Sequence, residues 1–167
     1  PGSYEQVSAE EMIAVRAYLA KILFAGQHAQ VVSRKGDIII PRVTVFYDGA
    51  ITEEEVMSNI KQSLNDYVAN LDFDGVVYAQ KIIDCIQNSD HLNDVHINND
   101  VTSQQGIYIA QYDDDNHIII IEGKKEQKID RYIIPNSGYL KESTGTGEEE
   151  GLPNWASAIT LQLEDNI

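Results

Sequence analysis

Positive charge is scarce in this chain: 12 lysines and arginines stand against 27 aspartates and glutamates, a formal net charge of −15 over 167 residues. Binding to a phosphate backbone needs clustered Lys and Arg, so the deficit argues against a nucleic-acid partner. It argues equally against an anionic membrane surface. Two readings of the charge remain, solubility and docking against a basic neighbouring subunit. Cysteine is nearly absent too. The single Cys85 excludes an internal disulfide, and its setting among Ile82, Ile83 and Ile86 marks it as a small core residue. No apolar run approaches the roughly 20 residues needed to cross a bilayer. The first apolar segment is interrupted by Arg16 and Lys21, which does not fit a secretion signal. Pro1-Gly2-Ser3 looks like the remnant of a protease-cleaved expression tag, in which case the natural start lies elsewhere.

Motifs that would carry chemistry are also missing. The four histidines, His28, His91, His96 and His117, show neither HxxxH nor HxH spacing, so no metal pair is expected. Asp113-Asp114-Asp115 is the obvious cation candidate, but it lacks the spread of oxygen ligands, the glycine and the terminal glutamate of a calcium loop. A solvated hairpin turn is the expectation there. Gly145-Thr146-Gly147 is followed by three glutamates that would repel a phosphate. Ser33, Ser63 and Ser89 have no elbow glycines and no base at a recognisable offset. No catalytic residue, metal ligand or cofactor is therefore expected. One enzymatic alternative stays open: a small metal-dependent nucleotide-processing enzyme with non-sequential carboxylates, for example Asp37 with Asp48. A ligand-binding or adhesion module built on the C-terminal β region is another.

What the chain does contain is strong local punctuation. Ser8 with Glu11 forms a capping box, and Met12, Val15, Leu19 and Ile22 follow at helical spacing. Ile13, Ala17, Ala20 and Phe24 widen that stripe, so the helix is expected to pack along most of its length. Residues 29–47 read as two strands joined at Arg34-Lys35-Gly36-Asp37, with Pro41 pointing to an edge or bulge. Thr52 and Glu55 repeat the capping box ahead of the stripe Val56, Ile60, Leu64, Tyr67 and Leu71. Asp74-Gly75, a short Val76-Val77 strand, a helix through Ala79, Ile82, Ile83 and Ile86, and a strand at 93–98 complete this unit. Beyond Gly106, strands are expected at 107–112, 117–122, 128–134 and 158–163. Residues 143–153 lack apolar anchors and read as a mobile loop. The fold class is α+β: a two-layer α/β sandwich of about three helices on a mixed sheet, with an added C-terminal antiparallel β region. The division is a tag remnant at 1–3, an α/β module at 4–100 and a β-rich extension at 101–167 packed on or beside it.

Several stretches share one family pattern: Val43-Thr44-Val45-Phe46-Tyr47-Asp48-Gly49, Ile60-Lys61-Gln62-Ser63-Leu64-Asn65-Asp66-Tyr67, and Asp74-Gly75-Val76-Val77-Tyr78. It continues through Ile82-Ile83-Asp84-Cys85-Ile86 to Asp94-Val95-His96-Ile97. This succession resembles the C-terminal part of baseplate J-like proteins, which build the wedges of contractile phage tails and related injection machines. Tyr132-Ile133-Ile134-Pro135-Asn136-Ser137-Gly138-Tyr139 is similar to a segment of that family's Bacteroides-phage type. Read from its residues, the segment is a strand end followed by a turn with two anchoring tyrosines. The resemblance instead suggests an edge shown to a neighbour, with Tyr132, Ile133 and Tyr139 as the candidate partner interface. It implies a structural, non-enzymatic role and partners that are other baseplate subunits or a second copy, with neither nucleic acid nor membrane. It also implies a cytoplasmic location during assembly, or a place in the finished virion or injection particle.

Overall fold

The computed structural model describes residues 5–24, 26–72, 75–100 and 102–164. Pro1-Gly2-Ser3, expected to be a tag remnant, and Asp74 of the expected turn lie outside them. The fold is α+β. In chain order the elements are α1 (Ala9–Ile22), β1 (Asp37–Arg42), β2 (Thr44–Tyr47), α2 (Glu53–Ala69), β3 (Val77–Tyr78), α3 (Ala79–Gln87) and β4 (Leu92–His96). Then come β5 (Gly106–Ala110), β6 (Gln127–Lys128), β7 (Tyr132–Ile133), β8 (Leu140–Lys141), a 3₁₀ turn (Gly147–Glu149), α4 (Trp155–Ala158) and β9 (Thr160–Leu163).

The strands form a four-stranded sheet in the order β6-β5-β1-β8, a three-stranded sheet in the order β4-β2-β9, and the pair β3-β7. β1 runs antiparallel to β5, with Ile39 opposite Ile109, and parallel to β8 only at Asp37 and Ile38. The chain leaves the first sheet after Arg42 and enters the second at Thr44, where β2 runs antiparallel to β4 and parallel to β9. Strands from either side of residue 100 thus share both larger sheets, so the C-terminal segment is woven into the α/β unit.

β1 explains the arrangement. Ile38, Ile39 and Ile40 are all fully buried, which a strand achieves only when both of its faces are covered. Ile39 joins the principal core beneath α2 and α3, with Val43, Val45, Val56, Ile60, Leu64, Ile82 and Ile86. Ile38 and Ile40 point the other way, into a second cluster with Ala110, Tyr112, Ile118, Leu152 and Ala158. Backbone groups of Asp37, Ile39 and Pro41 face the edge away from β5, since direction alternates along a strand. Asp37 N–H donates to Tyr139 O at 3.0 Å in the β8 region. Past the end of β8, the buried Trp155 indole donates to Ile39 O at 3.0 Å. Pro41, next on that edge, has no N–H to satisfy, which makes proline tolerable there.

Both expected capping boxes form. Ser8 Oγ accepts from Glu11 N, Thr52 Oγ1 accepts from Glu55 N, and each glutamate returns a bond to its cap residue. α3 lacks a side-chain cap; its first amide, Ala79 N–H, donates instead to Arg131 O at 3.0 Å, a carbonyl just before β7.

Four expectations are corrected. Residues 29–36 form no strand, and the pair expected at 29–47 is β1 and β2, divided at Val43. Residues 117–122 make only isolated bridges, Tyr112 with Ile118 and Ile121 with Lys124. The strand expected at 128–134 splits into β6 and β7, which belong to different sheets. Finally, no residue of α1 is buried, so that helix does not pack along its length on the described residues.

The α2 stripe is buried at Val56, Ile60 and Leu64, while Tyr67 and Leu71 border the same core. Leu64→Ala should lower the unfolding free energy by about 2–5 kcal/mol, the range for a core leucine with its cavity left unfilled. Chemical denaturation measures it, and a loss below about 0.5 kcal/mol would contradict this packing.

Candidate association surface

The three residues proposed as a partner interface are not brought together. Tyr139 is buried: its hydroxyl donates to Arg34 O at 3.1 Å, and its ring lies over Gly36, where a Cβ would stand 2.6 Å from it. Burial also pushes its phenol above the ordinary value. Tyr139 therefore belongs to the packing between β8 and the chain entering β1, and the interface role proposed for it is withdrawn. Tyr132 and Ile133 sit on β7, opposite Tyr78 and Val77. Tyr132 is 56% exposed with its ring centroid 5.9 Å from that of Tyr78, and Ile133 is half-buried. They form a small surface feature of their own.

Polar groups are instead gathered around the start of β1 and the loop expected to be mobile. Asp37 is fully buried; its carboxylate accepts from Tyr112 N at 2.9 Å and Ser137 N at 3.3 Å. Desolvation raises its pKa, and those donors offset this only in part. Asp48 is not among these partners; its carboxylate accepts from Ala50 N at 2.8 Å after β2. Glu149, 4% exposed, takes hydrogen bonds from the Tyr112 hydroxyl at 2.7 Å, from Thr144 N at 2.6 Å, from Thr144 Oγ1 at 2.8 Å, and from Lys141 Nζ. Burial alone would raise this carboxyl, but Lys141, Thr144 and Tyr112 together hold it at about 2. Burial, and then the Glu149 carboxylate, push the Tyr112 phenol upward in turn.

The loop at 143–153 is thus tied down by one buried carboxylate. Ser143 Oγ donates to Leu152 O at 3.1 Å, and Lys125 Nζ bridges Glu148 O and Glu150 O, each at 2.9 Å. Nothing apolar in 145–151 announced this. Glu149 is the middle of three consecutive glutamates, and no periodic signal singles it out.

Other chemistry-bearing residues are occupied locally. Asp113 Oδ1 accepts from Asp115 N at 3.0 Å and His117 N at 2.9 Å, closing the turn, and Asp114 pairs with Arg34. Among the described residues no group of three or more His, Cys, Asp or Glu is placed to hold a metal ion. A hollow of about 700 Å³ between α2 and α3 is bordered by Asp66, Tyr67, Tyr78, Lys81 and Cys85. The Cys85 thiol lies 3.1 Å from Ser63 O, and burial raises its pKa, so it is no ready thiolate.

The element whose exposure stands out is α1. Between its capping residues and its end, only Glu10, Glu11, Arg16 and Lys21 are charged; the remaining residues are apolar or aromatic. A helix apolar on most of its circumference belongs inside something. Here Ile13 is 67% exposed and Phe24, just past the helix, 80%, and Val15, Tyr18 and Ile22 are also open to solvent. Only Met12, Leu19 and Leu23 are partly covered. Arg16 Nη2 donates to Val31 O at 3.2 Å, and Val7 and Ser33 exchange two hydrogen bonds at 2.9 and 3.2 Å. These contacts hold the helix against the body by its polar groups while its apolar sides face outward.

No family model, no curated protein and no solved structure matches this chain.

The two buried carboxylates make opposite pH predictions. Glu149 has a folded-state pKa below its ordinary 4.5, so its contribution is complete above 4.5 and is lost as pH falls toward about 2. Asp37 lies above its ordinary 3.8, so its contribution is complete below 3.8 and is lost as pH rises through the folded value. Glu149→Gln should cost about 1–3 kcal/mol at neutral pH and flatten the acid limb of the stability profile. Denaturation across pH measures both, and an unchanged acid limb would refute the assignment.

Proposed function

We propose that this chain works by association, as an assembly module of a contractile-tail baseplate or related injection particle, and that it is not an enzyme. The observation that carries the reading is the unpartnered apolar circumference of α1. Contiguous exposed apolar surface on an otherwise acidic, well-packed body marks a protein–protein contact. The family-like succession from Val43 to Ile97 supports the particular setting, a multi-subunit tail or injection structure. The partners on this reading are other baseplate subunits or further copies of the chain. Its net charge of −15 disfavours nucleic acid and anionic lipid surfaces as the cover for α1. Among the described residues no helix is long and apolar enough to cross a membrane. On the particle reading the finished location is the virion or injection machine.

The test uses the side of α1 carrying Ile13, Ala17 and Ala20, with Phe24 just past the helix end. An Ile13→Lys/Phe24→Ser variant alters only exposed side chains, so its thermal unfolding should match the parent. Co-expressed with the structural proteins encoded beside it, the parent should co-purify with one of them, and the variant should lose most of that association. Equal recovery of both forms would refute α1 as the contact. Turnover of a nucleotide by the purified chain in Mg²⁺ would refute the non-enzymatic reading.

A further inference from the structure

The exposed residues of α1 lie on two sides of the helix. Ile13, Ala17 and Ala20 make one stripe, with the exposed Phe24 just past the helix end, and Val15, Tyr18 and Ile22, headed by Glu11, make another, each at the three-and-four spacing that aligns side chains on a helix face. The second stripe has a particular charge arrangement. Along one of its flanks run Glu10, Ala14 and Lys21, so the flank is acidic at the start of the helix, small in the middle and basic at the end. The helix as a whole is neutral, with Glu10 and Glu11 against Arg16 and Lys21, in a chain of net charge −15. That makes α1 a place where two such acidic molecules can approach without local repulsion.

We propose that the Val15–Tyr18–Ile22 stripe is covered by the same stripe of a second copy, the two α1 helices running antiparallel about a two-fold axis. The inference rests on the association reading above and names one occupant. With the axis passing between Arg16 and Ala17, Val15 of each copy faces Tyr18 of the other, and Ile22 closes each end of the seam against Glu11 of the other, whose carboxylate is held by its capping bonds to Ser8. Glu10 then lies within roughly 3 Å, measured along the helix axis, of the level of Lys21 in the second copy, because two residues rise about that far. The symmetry forms that contact twice. A parallel two-fold pair would instead place the two Glu10–Lys21 flanks on opposite sides of the seam and form neither contact. Charge therefore selects the antiparallel form, and Ala14 lets the flanks come close. Such a pairing is isologous and closes on itself. It leaves the Ile13–Phe24 side free for the unlike subunit. A helix of 14 residues is only about 21 Å long, so the contact falls short of the roughly 1,200 Å² of a standard stable interface. The dimer should dissociate on dilution.

Sedimentation equilibrium over a concentration series tests this with exposed positions only. The parent chain should show a reversible monomer–dimer equilibrium, and Tyr18→Asp should be monomeric with unchanged thermal unfolding. Glu10→Lys and Lys21→Glu, made singly, should each weaken the dimer roughly tenfold, since two surface pairs turn from attractive to repulsive. The double reversal should restore it. That restoration is diagnostic, because Lys near the helix start and Glu near its end both oppose the helix dipole and would weaken α1 itself. A chain that stays monomeric up to about 1 mM overturns the proposal. So does a dimer unaffected by Tyr18→Asp, or a double reversal weaker than either single. If the chain is monomeric while Ile13→Lys/Phe24→Ser still abolishes co-purification with a neighbouring structural protein, the second copy is the wrong occupant and the assembly role survives. If neither stripe affects any association, the assembly role falls as well.

Discussion

A strand with large apolar side chains on both faces can exist only between two layers, and Ile38-Ile39-Ile40 imposes that condition on the rest of this chain. One face of β1 is covered by α2 and α3. The other needs Tyr112, Ile118, Leu152 and Ala158, residues that come from the last third of the sequence. Its hydrogen-bonding edges must be filled as well, since an unpaired buried carbonyl or amide costs about as much as a lost hydrogen bond. β5 fills one edge. The other is filled piecemeal by β8, by the Trp155 indole, and by a proline that has nothing to donate. The parallel pairing of β9 with β2 follows, because the short α4 that places Trp155 against β1 also delivers Thr160 beside Val43, whose carbonyl accepts from Thr160 N at 2.9 Å.

Charge works at two scales here. Over the whole surface the acidic excess keeps molecules apart. Inside, two carboxylates hold chain segments distant in sequence to one another: Asp37 ties β1 to Tyr112 and Ser137, and Glu149 ties the 143–153 loop to Tyr112 and Lys141. Tyr112 is common to both, taking part through its backbone amide in one and its hydroxyl in the other. The Asp37 carboxylate is paired only with neutral donors and its pKa rises, while Glu149 has an ammonium beside it and its pKa falls. Similar burial thus has opposite consequences, according to whether a cation is among the partners.

α1 stands apart from this economy. Its capping box makes it a sound helix, yet its apolar residues contribute little to the core of the chain that carries them. Helix formation and helix burial are separate events: caps and propensity act locally, and burial needs a complementary face. Among the described residues that face is not offered to the two outward stripes. The assembly reading therefore moves from the β-rich C-terminal half, where the Tyr132–Tyr139 segment had placed it, to the N-terminal helix.

By itself the sequence determined the elements whose causes are local. The Ser8/Glu11 and Thr52/Glu55 boxes set two helix starts, the Val56–Leu64 stripe set the buried side of α2, and the strand expected at 158–163 formed as β9. Each signal lies within a few residues and depends on caps or on 3.6- and 2-residue periodicity. Only the tertiary structure decided which residues meet across long separations. Tyr139 became a core residue because Gly36 leaves room for its ring. Glu149 became a buried anchor because Lys141 and Tyr112 arrive beside it, and the strands after Gly106 were divided among three sheets by the available edges. α1 ran the other way: a pattern that reads as buried stayed exposed, because periodicity specifies an apolar face and does not specify whose surface will cover it.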